Sequence, residues 1–359
     1  MRSKLDGSAI GGQHPLLWRW PLGLTAGVSV VLGVFVVRAL SPAFVDDQLG
    51  DFQLPDRVQD TLTLAISVII ESVPFVFLGI LLSAVVQVWL PHGVLARHLP
   101  RNPLLRRASI SLLGMFFPVC ECGNVPLARG FMVGGFTVSE SITFLLAAPI
   151  LNPITIITTH QAFGWDGHIL VARLLGGFLI ANVVGWLFSK HPDPQNLLAT
   201  RFAAACATGS TSGHDGQGHS HQHGGESRSS RTTEIFIRET SVIMPALFIG
   251  SAVAALTQVF VPRSVLLALG SNPVWSVLAM MALAFIVAIC SNVDAFFVLS
   301  FGSTFLPGGI VAFLVFGALI DVKMLALMRT TFTSRTLLQI TVVVGLMSAA
   351  LGLLVNYVA

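Results

Sequence analysis

Charge is what this sequence is short of. Only 10% of its 359 residues are Asp, Glu, Lys or Arg, against about a quarter in an ordinary water-soluble domain. So few charges cannot clothe a chain of this size in water, and 54% hydrophobic residues point to lipid as the medium around it. Cysteine is scarce as well. Cys120, Cys122, Cys206 and Cys290 are the whole complement, and three of them lie in or near apolar runs, which does not make a secreted disulfide framework. The net charge is only +3, with the basic residues scattered through short loops, so there is no nucleic-acid signature. A phosphate-binding glycine loop, a His-Glu-x-x-His pair and a nucleophile triad are all missing. The chain is therefore read as no enzyme and as needing no cofactor. Any work against a gradient must draw on another gradient or on a partner ATPase.

What is present is a series of apolar runs, each near the roughly 20 residues that cross a bilayer. They fall at about 22–40, 62–90, 108–127, 138–159, 169–188, 242–261, 274–299, 310–328 and 337–358. The expected fold is an all-α polytopic membrane protein of about nine transmembrane helices. The run from Pro21 to Leu40 follows Arg2, Lys4 and Arg19 and outlasts a signal-peptide core, so it reads as a retained first span. Asp46, Asp47, Asp51 and Asp56 make the next loop acidic, whereas Pro91–Arg107 holds Arg97, Arg101, Arg106 and Arg107 and no acid. The positive-inside bias then places the basic loop and the amino terminus in the cytoplasm, in a multi-pass protein of the inner (plasma) membrane. Nine spans counted from there put the central linker and the carboxyl terminus outside.

Four regions are expected: an N-terminal segment with the first span at 1–59, a first permease repeat at 60–189, a linker at 190–233 and a second repeat at 234–359. The linker is rich in Gly, Ser and Thr and should stay disordered, since it cannot bury enough apolar area to offset its ordering entropy. His214, His219, His221 and His223 could give it weak metal binding, although a solvated spacer is the simpler reading. The repeat shows in three ordered matches at nearly one spacing. PFVFLGILLSAVVQVWLP (Pro74–Pro91) aligns on PALFIGSAVAALTQVFVP (Pro245–Pro262), CECGNVP (Cys120–Pro126) on AICSNVD (Ala288–Asp294), and APILNP (Ala148–Pro153) on GALIDV (Gly317–Val322). The span count makes these repeats parallel, and one re-entrant hairpin miscounted as a span would make them inverted.

Proline removes a backbone donor, so Pro118 and Pro126 around Cys120, and Pro149 and Pro153 around Asn152, are expected to kink or interrupt their spans and to gate a path. Broken backbone is tolerated at membrane depth only where protein or a water-filled cavity covers it. Cys120, Glu121, Cys122 and Asn124, with Asn152, Cys290, Asn292, Asp294 and Asp321, are the candidate substrate-binding or path-lining residues. A Cys-x-Cys pair suits soft cations or trivalent metalloids, and small apolar packing is its bland alternative. Glu121 and Asp294 are the foremost carboxylates for proton coupling or cation attraction. Arg129 is expected to neutralise Glu121 or a substrate, or to anchor at headgroups. Glu71, Glu140 and Lys323 could simply lie near span ends.

FFPVCECGNVPLARG, followed by GGFTVSESITFLLAAPILNP, resembles the predicted-permease family that includes the organoarsenical efflux permeases and the YraQ-type permeases. The likeness covers about Asp60–Asn356. It implies a permease, and in the arsenical branch the export of trivalent methylated or aromatic arsenicals, with Cys120, Cys122 and Cys290 carried over as metalloid ligands. The expected partners are the bilayer and a small soft-metal or metalloid substrate, with no nucleic acid. The oligomeric state stays open. So do two alternatives: a non-transporting scaffold or thiol-bearing partner of a redox or metal-handling system, and a channel.

Overall fold

The computed structural model describes residues 55–89, 99–117, 119–165, 168–210, 228–260, 272–302 and 304–358. Helix α1 (Asp56–Trp89) opens the first half. A short α2 (Pro103–Leu112) tightens into a 3₁₀ turn, and after an extended stretch the chain resumes as α3 (Glu121–Val133). Next, α4 (Val138–Leu151) and α5 (Pro153–Phe163) form one span interrupted at Asn152, and α6 (Ile169–Ser189) returns across it. Between the halves lies α7 (Thr200–Ser210). The second half then runs through the same order: α8 (Arg228–Phe260), α9 (Pro273–Val287), α10 (Asp294–Leu299), α11 (Pro307–Leu319) broken from α12 (Val322–Met328), and α13 (Ser334–Val358).

The expectation of about nine transmembrane helices is overturned. Among the described residues six helices are long and apolar enough to cross a membrane: α1, α4–α5, α6, α8, α11–α12 and α13. The expected first span at 22–40 lies outside the described residues. The expected third and seventh spans are not spans, because α3 has 13 residues, α9 has 15 and α10 has 6. At 1.5 Å of rise per residue none of them reaches across about 30 Å of hydrocarbon.

These short helices are limbs of two re-entrant hairpins. Arg106 near the start of α2 pairs with Glu140 at the start of α4, and Arg107 donates to Ser189 Oγ at the end of α6 at 3.5 Å. One tight turn joins the end of α3 to α4. The first hairpin therefore enters and leaves by one face, which carries Arg106 and Arg107. The second uses the opposite face. There Asn356, near the end of α13, donates to the Pro273 carbonyl at the start of α9 and accepts from Gly308 N at the start of α11. Both hairpins start alike: the side chains of Asn102 and Asn272 accept from the N–H groups of Leu104 and Val274, with proline in the first turn.

Helices α1 and α3 run side by side in the same direction, since added methyls at Gly123 and Gly130 would meet Phe75 and Ser83 in turn. Close backbone approach at small residues is how helices dock when lipid offers no hydrophobic gain. Helix α1 thus ends on the basic face, and α8 starts there, because Glu239 on α8 pairs with Arg129 on α3. Three crossings separate the two half-starts. An odd number inverts the second half relative to the first, so the repeats are inverted rather than parallel.

Part of the stretch expected to be a disordered linker is ordered. Ala199 N donates to the Thr331 carbonyl at 2.9 Å and Leu198 bridges Phe332, docking the entry to α7 against the turn between α12 and α13. The segments flanking residues 211–227 therefore lie on the face of Arg106 and Arg107, not on the opposite side as the nine-span count required. The four histidines of that stretch lie outside the described residues.

Candidate functional site between the two re-entrant hairpins

The first hairpin turns through extended backbone at Phe117 and Cys120, and Cys120 stands at the amino end of α3 with no side-chain cap of its own. Pro118 is outside the described residues. Helix α3 runs without interruption through Pro126, so the break lies ahead of that proline. Pro149 sits inside α4, and Pro153 opens α5 just after the interruption. Asn152 joins the two breaks: its Nδ2 donates to the Val119 carbonyl at 3.0 Å, while its Oδ1 accepts from Ile154 N at 2.9 Å.

The second hairpin brings its cysteine to this point. The sulfurs of Cys120 and Cys290 and a carboxylate oxygen of Glu121 lie within 4.8 Å of one another, all buried. The Cys120 thiol also neighbours that of Cys122, which reaches Ser72 Oγ at 3.8 Å. Glu121 Oε2 accepts from Ser291 Oγ at 3.1 Å and from Cys290 Sγ at 3.7 Å. Its Oε1 meets Lys323 Nζ at 3.3 Å. Lys323 lies in the first turn of α12, directly after the break in the second broken span, and is buried there, not at a span end. Glu71, halfway along α1, is exposed yet stands close enough to Glu121, Lys323 and Cys290 to interact with all three. An exposed carboxylate at that depth is tolerable beside water and a cation, not against acyl chains.

Among the described residues three buried ion pairs cross between the halves. Glu121–Lys323 is central. Arg129, about 12 Å along α3 from Glu121 at helical rise, does not neutralise it. Instead its Nε donates to Glu239 at 2.8 Å, its Nη1 donates to the Thr330 carbonyl at 3.0 Å, and its guanidinium lies over the Phe202 ring at 4.2 Å. Toward the opposite face, Arg173 near the start of α6 donates to both carboxylate oxygens of Asp294, at 2.9 and 2.7 Å, and to Thr159 Oγ1 at 2.7 Å. Asp294 is thus a partnered residue beside the thiol cluster. Asn292 Oδ1 accepts from Thr155 Oγ1 at 3.2 Å. Asp321 caps α12 with one oxygen, on Met324 N. Its other oxygen, and both amide atoms of Asn124, are buried without a partner among the described residues.

Sequence reading missed Arg173, Ser291 and Glu239. For Arg173 the signal was in view: a lone cation inside the apolar run ILVARLLGG is costly unless paired. Three thiols around a buried ion pair can hold a trivalent, thiophilic centre. Displacing two hydroxyls from such a centre by two thiols releases two waters with no change of oxidation state or net charge.

The arrangement has relatives. A family model described as "Predicted permease" matches residues 57–357. The UPF0718 protein YcgR of Bacillus subtilis is 36% identical over 274 residues, covering 75% of this chain and 88% of that protein. A Streptococcus mutans protein, whose name is that of a two-component membrane permease complex subunit, is 32% identical over 289 residues, 80% of this chain and 91% of its own. The UPF0718 protein YraQ of Escherichia coli is 30% identical over 124 residues, 33% of this chain and 35% of its own. No solved structure matches the chain. With a family model matched across both hairpins and all six spans, this chain belongs to the ArsP-type predicted permease family, and it is a multi-pass membrane permease rather than an enzyme.

Proposed function

We propose that this permease is a secondary-active exporter of a soft metalloid or metal species, with trivalent organoarsenicals as the best chemical fit. The observation that carries this reading is the convergence of Cys120, Cys122 and Cys290 beside the Glu121–Lys323 pair, where two inverted halves meet. Two thiols satisfy a mono-substituted trivalent centre, and the third offers a place to which it can pass. Soft sulfur donors select such species over hard cations. The outer ion pairs suit alternating access. Arg129–Glu239 closes the route toward the basic face and Arg173–Asp294 closes it toward the other, each joining one half to the other. The face with Arg101, Arg106, Arg107, Lys190, Arg201 and Arg228 is assigned to the cytoplasm of a plasma membrane by its basic excess.

The test is uptake of a trivalent phenylarsenical by everted vesicles. Wild-type protein should show saturable uptake with counterflow, and Cys122→Ser protein that inserts normally should fall to the level of vesicles lacking the permease. Unchanged uptake by the Ser variant sinks the thiol site, and conductance without saturation replaces the carrier by a channel.

A further inference from the structure

The two broken spans occupy equivalent places in the repeat, yet their polar groups are matched unequally. In the first half Asn152 bonds the Val119 carbonyl and Thr155 bonds Asn292 of the second hairpin. In the second half Asp321 stands where Asn152 does, Met324 where Thr155 does, and Asn124 where Asn292 does. Methionine offers Asn124 no hydroxyl, and both of its amide atoms are left without a partner although the residue is fully buried. Asp321 Oδ2 is equally buried and equally alone. Pro126 supplies no N–H to the Cys122 carbonyl one turn before it.

Charge adds a separate reason. Glu121 and Asp321 bring two carboxylates to the buried centre and Lys323 one ammonium, while Arg173 and Asp294 pair with each other. A carboxylate left over in a low-dielectric interior must take up either a proton or a cation, and buried polar atoms without partners ask for an explanation of their own. Both are met at once.

We propose that Asp321 Oδ2 and Asn124 Oδ1 bind a hard monovalent cation of the sodium class at the second broken span, and that this is the coupling ion. Interrupted spans of inverted-repeat carriers are where side-chain and backbone oxygens take up such ions. Hard oxygen donors and the soft thiols select different species, so ion and substrate bind side by side without competing. The site depends on oxygens alone and stands apart from the thiol reading, while its role as coupling ion rests on the secondary-active reading above.

Equilibrium binding of radioactive sodium to the purified full chain, with choline as the replacing cation, tests this. Wild-type protein should take up one saturable sodium per chain. Asp321→Asn keeps the cap on α12 and should abolish the uptake. Asn124→Leu removes the second oxygen and should weaken binding by about 10–100-fold with every charge in place. Cys122→Ser should bind sodium as wild type does, so loss of arsenical transport and loss of sodium binding are read separately. Absence of saturable sodium binding in folded wild-type protein overturns the proposal. So does wild-type affinity in a folded Asp321→Asn or Asn124→Leu variant.

Discussion

At the second hairpin Asp294 takes two nitrogens of Arg173, at 2.9 and 2.7 Å, whereas at the first Glu121 meets Lys323 through one contact at 3.3 Å. The scaffold is the same, with an Asn-Pro start, a break at mid-depth and a carboxylate at the tip paired to a cation from the other half. One tip is pinned by a planar fork that stays charged in any protein environment. The other is held by a single flexible ammonium among thiols, with Glu71 exposed beside it. A carrier needs both: a fixed arm to move against, and a centre whose contacts can be exchanged for those of a substrate.

That contrast can be broken most directly at the carboxylates. Asp294→Asn strands Arg173 without a counter-charge and should cost about 3–5 kcal/mol, read as a loss of unfolding stability in detergent. Glu121→Gln keeps an acceptor for Ser291 Oγ and leaves Lys323 the nearby Asp321 carboxylate as counter-charge, so it should cost clearly less. Equal losses would show that the first tip is pinned as firmly as the second.

Packing separates the halves next. A methyl added at Gly79 would run into the Gly123 backbone, which cannot yield without moving the first hairpin. The equivalent Gly250 faces the Ala326 side chain at 2.8 Å, a milder encroachment. Gly79→Ala should therefore cost about 3 kcal/mol and Gly250→Ala about 1 kcal/mol, within the range of overpacked sites, measured by the same unfolding assay. The smallest effect expected is at Thr155. Thr155→Val removes the hydrogen bond to Asn292 and should cost about 1 kcal/mol, whereas the same change at Thr158, whose hydroxyl donates to the Thr155 carbonyl at 3.2 Å, should leave Asn292 unaffected.

Much of the site was legible because its residues violate their surroundings. Cysteines, a carboxylate and asparagines beside prolines stand out in an apolar run, and the halves repeat them in order. Span count was not legible by hydropathy alone, because α9 is as apolar as a true span and merges with α10 into one long run. The capping pairs Asn102-Pro103 and Asn272-Pro273 mark where each hairpin begins, and a reading keyed to helix starts would have found them. Partnership was the least legible part. Arg173 meets Asp294 across 121 positions and Lys323 meets Glu121 across 202, distances at which local pattern carries no information. Arg129 shows the same limit: its sequence neighbour Glu121 is eight residues away, but the fold pairs it with Glu239.

The wholly buried Arg173 also bears on how the chain is made. Its guanidinium emerges from the ribosome with α6, while its carboxylate partner is encoded 121 residues later, a delay of roughly 6–24 s at ordinary synthesis rates. Through that interval a lone cation stands in a nascent span at a cost of about 2.5–3.5 kcal/mol on an insertion scale. The amino-terminal half must therefore wait, incompletely settled, for the carboxyl-terminal half to arrive, and the two are obliged to mature as one body.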